Sequence, residues 1–413
     1  MYRYPKFAII ALQKIIVYLN AKSDSLLIVQ CFAYNKIIQG INMLLKSDTK
    51  LNFDDVLILP KRSTLESRKE VDLVREFITT QGVKFSGVPI IASNMATGNF
   101  TMLAKLAEHQ MFTSIAKHHS DEWITRDLTA DSLKYGFFTI GIRDNTELER
   151  LENFANTRYK TFEKIQDATN IPLKIMVDVP NGYMQKYSKF ISTLRNQFPK
   201  AIIFAGNVCT PEMTEELIIA GADGVKIGVG PGSFCRTRMM TGVGVPQVSA
   251  IIECADAAHG LGGLIIADGG CKLPGDIAKA FCANADMVMI GTMLAGTDES
   301  DGEVIIRYIQ SKFYQKTIHN ITQKEIFEPI FEEKKYKTFY GMSSDKAQIA
   351  HFGGIKQYRA SEGREEEIEY TGSADQVIRN ILGGIRSCGT YIGASNIKQF
   401  GKCATFIRTN KIH

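Results

Sequence analysis

The sequence lacks the cysteine pairs that mark zinc-binding domains and small disulfide-rich proteins. Its eight cysteines form no Cys-x-x-Cys pair, and their spacing from the seven histidines matches no zinc site. In a chain of 413 residues, cysteines scattered in this way indicate reduced thiols. We therefore expect a cytoplasmic protein without structural zinc.

Clustered positive charge is missing from most of the chain. The chain has 49 Lys and Arg residues and 44 acidic residues. Residues 1–50 contain seven of the basic and two of the acidic residues, which leaves 42 of each in residues 51–413. A nucleic-acid-binding face needs a basic patch or stripe. We therefore expect no nucleic-acid partner.

A long uninterrupted apolar segment is also missing. Near the amino terminus, residues 8–19 are apolar, but Gln13 and Lys14 interrupt them and the run is too short to cross a bilayer. The sequence therefore predicts no membrane contact. We interpret residues 1–50 as an N-terminal extension, either an over-extended start upstream of Met43 or a weak mitochondrial presequence in residues 1–42.

Eight short apolar runs recur after residue 86, and segments with helical periodicity separate them. Two such helical segments cover residues 101–109 and 211–220, and the second opens on Thr210-Pro211, as helices often do. Parallel strands that are buried on both faces have continuous apolar sequences, and eight of them alternating with helices make a (β/α)8 barrel. We thus predict an α/β fold, a TIM barrel within residues 51–413, with strands at 88–92, 112–116, 137–142, 174–179, 201–205, 224–229, 263–267 and 287–290.

A doubly wound sheet is the competing architecture. It would place a Gly-x-Gly-x-x-Gly turn after the first strand, which this chain does not have, and Gly228, Gly230 and Gly232 have a different spacing. Glycine turns instead follow the seventh and eighth runs, at Asp268-Gly269-Gly270 and Gly291-Thr292. Barrels commonly bind phosphate at these loops, so both turns favour the barrel.

The segment from Gly228 to Gly244 holds one cysteine, Cys235, in a glycine-rich turn after the sixth run. Glycines let the backbone turn sharply and approach a ligand closely, and consecutive N–H groups there can bind an anion. A thiol in such a place can act as a nucleophile. A buried structural cysteine is the alternative, but the turn surrounds the thiol with hydrogen-bonding side chains, namely Ser233, Arg236, Thr237 and Arg238.

About a hundred residues follow the last predicted strand. Residues 298–335 form an insertion rich in Ile, Phe, Lys and Glu, which we expect to leave the barrel as a surface excursion. Two further loops, residues 340–344 and 358–363, have the composition of ligand-facing segments. The sequence thus predicts flap and insertion segments after the barrel.

From Leu51 to about Arg408 the chain resembles the IMP dehydrogenase/GMP reductase family. The resemblance rests on specific motifs, among them LNFDDVLILPKRSTL, DVPNGY, GVGPGSFCRTR, TGVGVPQVSA, IIADGGCKLPGDIAKAF, YGMSS, YRASEG and ILGGIRSCGTYIGA. Three features resemble the reductase branch: the missing regulatory insert before Cys235, the motif TGVGVPQ and the motif YRASEG. A dehydrogenase without its regulatory domain and an inactive nucleotide-binding barrel stay open as alternatives.

The resemblance implies a reaction and a set of catalytic residues. Cys235 would attack C2 of the guanine ring of GMP and form a covalent thioimidate with loss of ammonia, and NADPH would then reduce it to IMP. Thr237 and Glu362 would handle the proton that the departing amine needs, which is a general-acid role.

The resemblance also implies binding residues and an assembly. A potassium ion would lie among the carbonyl groups of Gly230, Gly232 and Cys235, with Arg238 nearby. GMP would contact Asp268, Gly269, Gly270, Gly291, Thr292, Gly341, Met342, Ser343, Arg359, Ala360, Ser361 and Gly363. NADPH would contact Lys117, Asp178, Val179, Pro180, Val229 and Gly230, and its adenosine end would reach Ser67, Arg68, Ser387, Cys388, Gly389 and Thr390 across a subunit boundary in a homotetramer.

Several positions depart from the family pattern. Ala96 stands where the family usually has aspartate, Arg236 replaces a threonine, and Cys388-Gly389 replaces a Thr-Cys pair. The insertion at 298–335 is also atypical. These departures bear mainly on how the cofactor is held.

Overall fold

The computed structural model describes residues 45–119, 122, 129–142, 146–162, 171–318, 325–341, 344–351, 354 and 361–409. The chain divides into two compact units, Met1–Thr49 and Lys50–His413. The start or presequence predicted for residues 1–42 lies outside the described residues. All the elements named below belong to the second unit.

Eight parallel strands close into a barrel, which confirms the predicted (β/α)8 fold. Two strands precede it, β1 (Val56–Ile58) and β2 (Arg75–Ile78), and β2 pairs antiparallel with the start of β3. Neighbouring barrel strands pair in sequence order, and the last pairs with the first to close the ring. The barrel strands are β3 (Lys84–Ala92), β4 (Met111–Ile115), β5 (Gly136–Ile140), β6 (Lys174–Asp178), β7 (Ile202–Val208), β8 (Gly224–Ile227), β9 (Leu264–Asp268) and β10 (Met287–Ile290).

Helices connect the barrel strands, as the periodicity predicts. The first begins at Asn99, whose side-chain oxygen accepts a hydrogen bond from the Met102 N–H at 2.8 Å. No helix in the described part of the chain is long and apolar enough to cross a membrane. The connecting helices are α1 (Phe100–Ala107), α2 (Ala130–Tyr135), α3 (Thr146–Phe162), α4 (Gln185–Gln197), α5 (Pro211–Ile219), α6 (Thr237–Thr241), α7 (Gln247–Gly260) and α8 (Pro274–Cys282).

The barrel interior changes character along its axis. Near the amino ends of the strands, Phe137 stacks on Phe204 with ring centroids 5.3 Å apart, and Phe85 lies edge-on to Phe112. Gly224 makes room for this cluster, since a Cβ there would lie 2.2 Å from the Phe204 ring. Towards the carboxyl ends the buried side chains become polar: Lys226, Ser114 and Thr139. The apolar end supports the fold and leaves the polar end for chemistry.

The chain after the barrel forms a long antiparallel hairpin and a C-terminal helical region. Strand β11 (Val304–Ile318) pairs with β12 (Glu325–Tyr340), and β13 (Glu365–Glu369) pairs with the last residues of β12. Most of the segment at 298–335 therefore belongs to this hairpin. The remaining elements are α9 (Asp345–His351), α10 (Ala374–Ile392), α11 (Phe400–Cys403) and β14 (Phe406–Arg408), which pairs with β1.

Candidate active site

The loop after β8 turns sharply because glycines occupy its tightest points. Gly228 and Gly230 have φ angles of 151° and 76°, a region that L side chains rarely adopt. A Cβ on Gly228 would lie 2.1 Å from the Asp268 carbonyl oxygen. The loop therefore packs directly against the end of β9 and carries Cys235 at the carboxyl-terminal face of the barrel.

Cys235, Thr237 and Glu362 form one hydrogen-bonded chain. The Cys235 Sγ donates to the Thr237 Oγ1 at 3.1 Å, and the Thr237 hydroxyl donates to the Glu362 Oε2 at 2.7 Å. Glu362 comes from a segment 125 residues away from Thr237 in sequence. The fold thus brings the three predicted catalytic residues together with a direct path for a proton from thiol to carboxylate.

Backbone bonds fix Glu362 against the cysteine loop. The Arg236 N–H donates to the Glu362 carbonyl at 2.6 Å, and the Arg364 N–H donates to the Phe234 carbonyl at 3.1 Å. The Arg364 guanidinium also donates to the Ser233 carbonyl at 2.8 Å. These bonds make a short antiparallel bridge around Cys235. Sequence reasoning missed Arg364, which lies directly after the motif that it anchors.

Most of the residues predicted for GMP that the structure describes lie around this loop. Gly269 and Gly270 both have left-handed φ angles, and a Cβ on Gly269 would touch Pro231 at 3.0 Å. A Cβ on Gly341 would lie 3.1 Å from the Phe234 carbonyl oxygen. Gly291 and Thr292 begin a short turn after β10, next to Ser93. Ser361 and Gly363 flank Glu362, whereas Met342, Ser343, Arg359 and Ala360 lie outside the described residues.

A buried lysine joins the two predicted ligand-binding carboxylates. Lys226 Nζ lies 2.5 Å from Asp178 Oδ1 and 3.2 Å from Asp268 Oδ2, and its side chain is 3% exposed. Lys117 donates to the Asp178 carbonyl at 2.6 Å, and the Asn207 amide donates to Asp268 Oδ2 at 2.7 Å. Sequence reasoning missed Lys226, although a charged residue inside an apolar strand was the available signal.

The opposite charges in this network keep the Asp178 carboxylate and the Lys226 ammonium group ionised. Burial by itself would raise the pKa of Asp178, but the ammonium groups of Lys226 and Lys117 hold that pKa well below its usual range. Burial would likewise lower the pKa of Lys226, and the carboxylates of Asp178 and Asp268 raise it instead. An ionised carboxylate at the mouth of the barrel suits the hydroxyl groups of a ribose, which donate hydrogen bonds to it.

The other residues predicted for the nicotinamide side line the same mouth. Val179 follows Asp178, and its N–H donates to the Gly206 carbonyl at 2.9 Å, while Pro180 after it is exposed. The Val229 carbonyl accepts from the Arg238 Nε at 3.1 Å. These residues follow the carboxyl ends of β6 and β8, the strands that carry Asp178 and Lys226.

The residues predicted for the adenosine end lie elsewhere on the protomer. Ser67 caps the turn Arg68–Glu70, and a Cβ on Gly389 would meet Val71 at 2.8 Å, so residues 387–390 pack beside this turn. A cavity of about 470 Å³ next to it is lined by Val88, where the parallel pairing of β3 with β4 begins, and by Gln110, just before β4. This set is therefore at the opposite end of the barrel from Cys235.

Within that set, Cys388 and Thr390 make contacts inside the protomer. Cys388 forms a hydrogen bond with Cys282, and this bond, with burial, raises the pKa of the Cys282 thiol. The Thr390 hydroxyl donates to the Ser387 carbonyl at 2.7 Å. The hydrogen bond between Thr390 and Ser387 therefore stabilises the last turn of α10 within the protomer.

The four positions predicted for potassium lie on one turn. The Gly232 carbonyl accepts from the Cys235 N–H at 3.0 Å. A carbonyl oxygen has two lone pairs, so this oxygen can still coordinate a cation. The Arg238 guanidinium donates to the carbonyls of Val229 and Val245, which steadies the turn. Backbone oxygens on a tight glycine turn are suitable donors for a hard cation.

Comparisons with known proteins agree with this geometry. The model of the IMP dehydrogenase / GMP reductase domain matches residues 50–318 and 324–412. GMP reductase of Klebsiella pneumoniae subsp. pneumoniae is 45% identical over 379 residues, covering 89% of this chain and 97% of that protein. GMP reductase 1 of Mus musculus is 46% identical over 371 residues, with the same coverage of 89% and 97%. GMP reductase 2 of Homo sapiens is 45% identical over 369 residues, covering 88% of this chain and 96% of the human protein.

The family model covers most of the chain, and the relatives are similar along almost their whole length. The matched residues include Cys235, Thr237 and Glu362, which meet at the carboxyl-terminal face of the barrel. The chain therefore belongs to the IMP dehydrogenase/GMP reductase family.

Proposed function

We propose that this chain is an oxidoreductase that converts GMP to IMP and ammonia at the expense of NADPH. The observation that carries the proposal is the hydrogen-bonded chain from Cys235 through Thr237 to Glu362. The names of the relatives, which are GMP reductases from bacteria and mammals, support the same reaction.

The direction of the two hydrogen bonds suits the first half of the reaction. The Cys235 thiol loses its proton towards Thr237, and the Thr237 hydroxyl passes a proton to Glu362. The sulfur then bonds to C2 of the guanine ring, and the bond from C2 to the exocyclic nitrogen breaks. Glu362 returns the proton to the departing nitrogen, which leaves as ammonia. The proton that leaves the Cys235 thiol is therefore the proton that the departing amine takes up.

In the second half, the sulfur bond at C2 breaks and Cys235 leaves as a thiolate, which takes up one proton from water to restore the thiol. NADPH, when bound, supplies the hydride that C2 requires. Asp178, held ionised by Lys226 and Lys117, accepts hydrogen bonds from the ribose on the cofactor side. Asp268, held by Lys226 and Asn207, does the same for the ribose of the purine nucleotide. The glycine turns at 269–270 and 291 receive the phosphate through backbone N–H groups.

The test is a GMP-dependent NADPH oxidation assay with ammonia measured as the second product. We expect one ammonia released for each NADPH oxidised. A parallel reaction with IMP and NAD distinguishes the dehydrogenase alternative, which would turn over there instead. Binding of GMP without any loss of NADPH absorbance would identify an inactive barrel and overturn the proposal.

We also propose a homotetramer in which neighbouring protomers share the cofactor site. The support is the position of Ser67, Arg68 and residues 387–390 at the opposite end of the barrel from Cys235, which leaves the adenosine end without these contacts in a single protomer. Arg68→Ala should raise the KM for NADPH about tenfold or more and leave the KM for GMP unchanged. A parallel rise in both KM values would contradict the shared site.

Two finer proposals concern potassium and the cell compartment. The carbonyl groups of Gly230, Gly232 and Cys235, with Arg238 nearby, would hold potassium and order the cysteine loop, so replacing K⁺ by Li⁺ should lower kcat. An unchanged kcat in Li⁺ would remove this assignment. We place the protein in the cytoplasm because the seven cysteines in the described part of the chain are all free.

A further inference from the structure

The hairpin of β11 and β12 extends far beyond the strand that supports it. Strand β11 has 15 residues and β12 has 16, which at about 3.4 Å per residue makes a ribbon about 50 Å long. The third strand, β13, pairs only with Tyr336–Tyr340 at the base. A two-stranded hairpin by itself is marginally stable in water, so this ribbon needs a surface to pack against.

The pairing register shows which side chains share a face of the ribbon. Directly opposed residues of antiparallel strands lie on the same face, and the pairs include Ile306 with Lys335 and Lys316 with Phe327. Even-numbered residues of β11 therefore share a face with odd-numbered residues of β12, and the break between Gln310 and Tyr314 preserves this parity. We call this side the aromatic face; its large apolar members are Val304, Ile306, Tyr308, Tyr314, Ile318, Phe327 and Phe331.

The aromatic face is exposed along the ribbon. Its seven large apolar side chains are between 46% and 69% exposed. Among the described side chains outside the register break, Ile309 is the one large apolar residue of the opposite face with more than 40% exposure, at 41%; inside the break, Phe313 is 73% exposed. At the base the aromatic face becomes buried, where Phe339 packs on Phe234 with centroids 4.8 Å apart. The apolar surface thus runs outward from the protein as one continuous strip.

The size of this strip matches half of a stable protein interface. With large side chains offering roughly 150–250 Å² each, the exposed parts of these seven amount to about 700 Å². One partner of a standard interface contributes about 800 Å², and a monomer rarely exposes a patch of this size without a function.

We propose that the aromatic face pairs with the same face of a second copy of this chain. In this contact a twofold axis would relate the two ribbons, which would pack face to face about 10 Å apart, as packed sheets do. The contact would bury about 1,400 Å² in total, half from each copy. This contact is separate from the proposed shared cofactor site, because the ribbon and residues 387–390 belong to different parts of the fold. Each such contact joins two protomers, which belong either to the same tetramer or to two different tetramers.

Charge favours a second copy over a lipid or nucleic-acid surface. Outside the register break, the charged side chains on the exposed part of the aromatic face are Lys316, Lys335, Glu325 and Glu333, whose charges sum to zero, and Lys312 inside the break adds one positive charge. Lys316 pairs with Glu325 at 2.5 Å, and Lys335 pairs with Glu333 at 4.0 Å. Anionic surfaces select faces with excess Lys and Arg. A face whose charges nearly cancel through its own ion pairs can meet an identical face with little uncompensated charge.

The outer edge of β11 is a less suitable contact than the face. Strand edges can pair with another chain, and proteins block this with bulges and lysines. The register break between Gln310 and Tyr314 interrupts the edge at its centre, and Lys312 lies within the break. Face-to-face packing is therefore the arrangement that the ribbon permits.

The test compares particle mass for two matched double variants. Tyr308→Glu with Phe331→Glu places two charges on the aromatic face, and Ile309→Glu with Gln315→Glu places two on the opposite face. Mass photometry of the full chain should show the first variant at half the wild-type mass and the control at the wild-type mass. Circular dichroism should show both variants folded, with melting temperatures close to that of the wild type.

Equal masses for the wild type and both folded variants would overturn the proposal, since another protein, a lipid or another segment of the same chain would then cover the face. Halving in the control as well would show that charge anywhere on the ribbon dissociates the assembly, which also overturns it. If the acidic variant misfolds, Phe327→Ser with Phe331→Ser removes apolar area without adding charge, and it should shift the same equilibrium towards half mass at low protein concentration.

Discussion

Replacing Lys226 by methionine tests whether the buried charge network is held by its lysine. Methionine keeps the length of the side chain and removes the ammonium group that lies 2.5 Å from Asp178 and 3.2 Å from Asp268. Two carboxylates then share the site with Lys117 alone. Breaking a buried ion pair by removing one partner costs about 3–5 kcal/mol. We expect a loss of about 3 kcal/mol in the free energy of unfolding, because Lys117 and Asn207 still partner the carboxylates.

Urea unfolding at pH 7 measures this loss, and Lys346→Met is the matched control. Lys346 also lies 2.5 Å from its carboxylate, Glu365, but both side chains are more than 40% exposed. Exposed pairs contribute about 0–1 kcal/mol, so the control should change little. Adding Asp178→Asn to Lys226→Met removes one uncompensated charge and should recover at least about 1 kcal/mol.

The pH dependence gives a second, independent readout. The folded-state pKa of Asp178 lies below its ordinary value of 3.8, so its contribution to stability is present above that pH and lost as the pH falls. Without Lys226 that depression weakens, so the difference in unfolding free energy between wild type and variant should stay nearly constant from pH 7 to pH 4 and narrow as the pH falls below 3.8. Equal losses for Lys226→Met and Lys346→Met, or a gap that widens in acid, would refute the reasoning.

Three further predictions concern the catalytic chain and a histidine near the barrel mouth. Cys235→Ala should lower kcat on the order of 10³-fold or more while GMP still binds, measured by turnover and by calorimetry; activity within tenfold of the wild type would remove the nucleophile assignment. Glu362→Gln should slow ammonia release by about 10²–10⁴ and hydride transfer much less, measured by single-turnover kinetics of each half-reaction; equal slowing would make Glu362 a residue that only positions the nucleotide. His119 bonds to Asp301 at 2.8 Å, and this bond, with that to Glu122, raises its pKa above 6.5. Its contribution to stability is thus complete below pH 6.5 and lost as the pH rises through the folded-state value, so the melting temperatures of wild type and His119→Gln should converge from about pH 6 to pH 8; a gap that grows with pH would contradict the ion pair.

The sequence by itself determined the barrel. Strands buried on both faces must be apolar throughout, so the eight runs were visible as a repeat, and the turn glycines at Gly228 and Gly269 were visible because few other residues adopt their backbone angles. The family motifs likewise pointed to Cys235, Thr237 and Glu362 before any distance was known. These features were predictable because each depends on local residue type and spacing.

Only the tertiary structure decided how distant segments meet. The hydrogen bond between Thr237 and Glu362 spans 125 residues, and the ion pairs of Lys226 join three different strands. The aromatic face of the ribbon depends on a cross-strand register that the composition of the insertion does not reveal. Such contacts depend on the tertiary fold. Hydrophobic periodicity and secondary-structure propensity specify which face of a strand or helix a residue occupies, but not which distant residue it contacts.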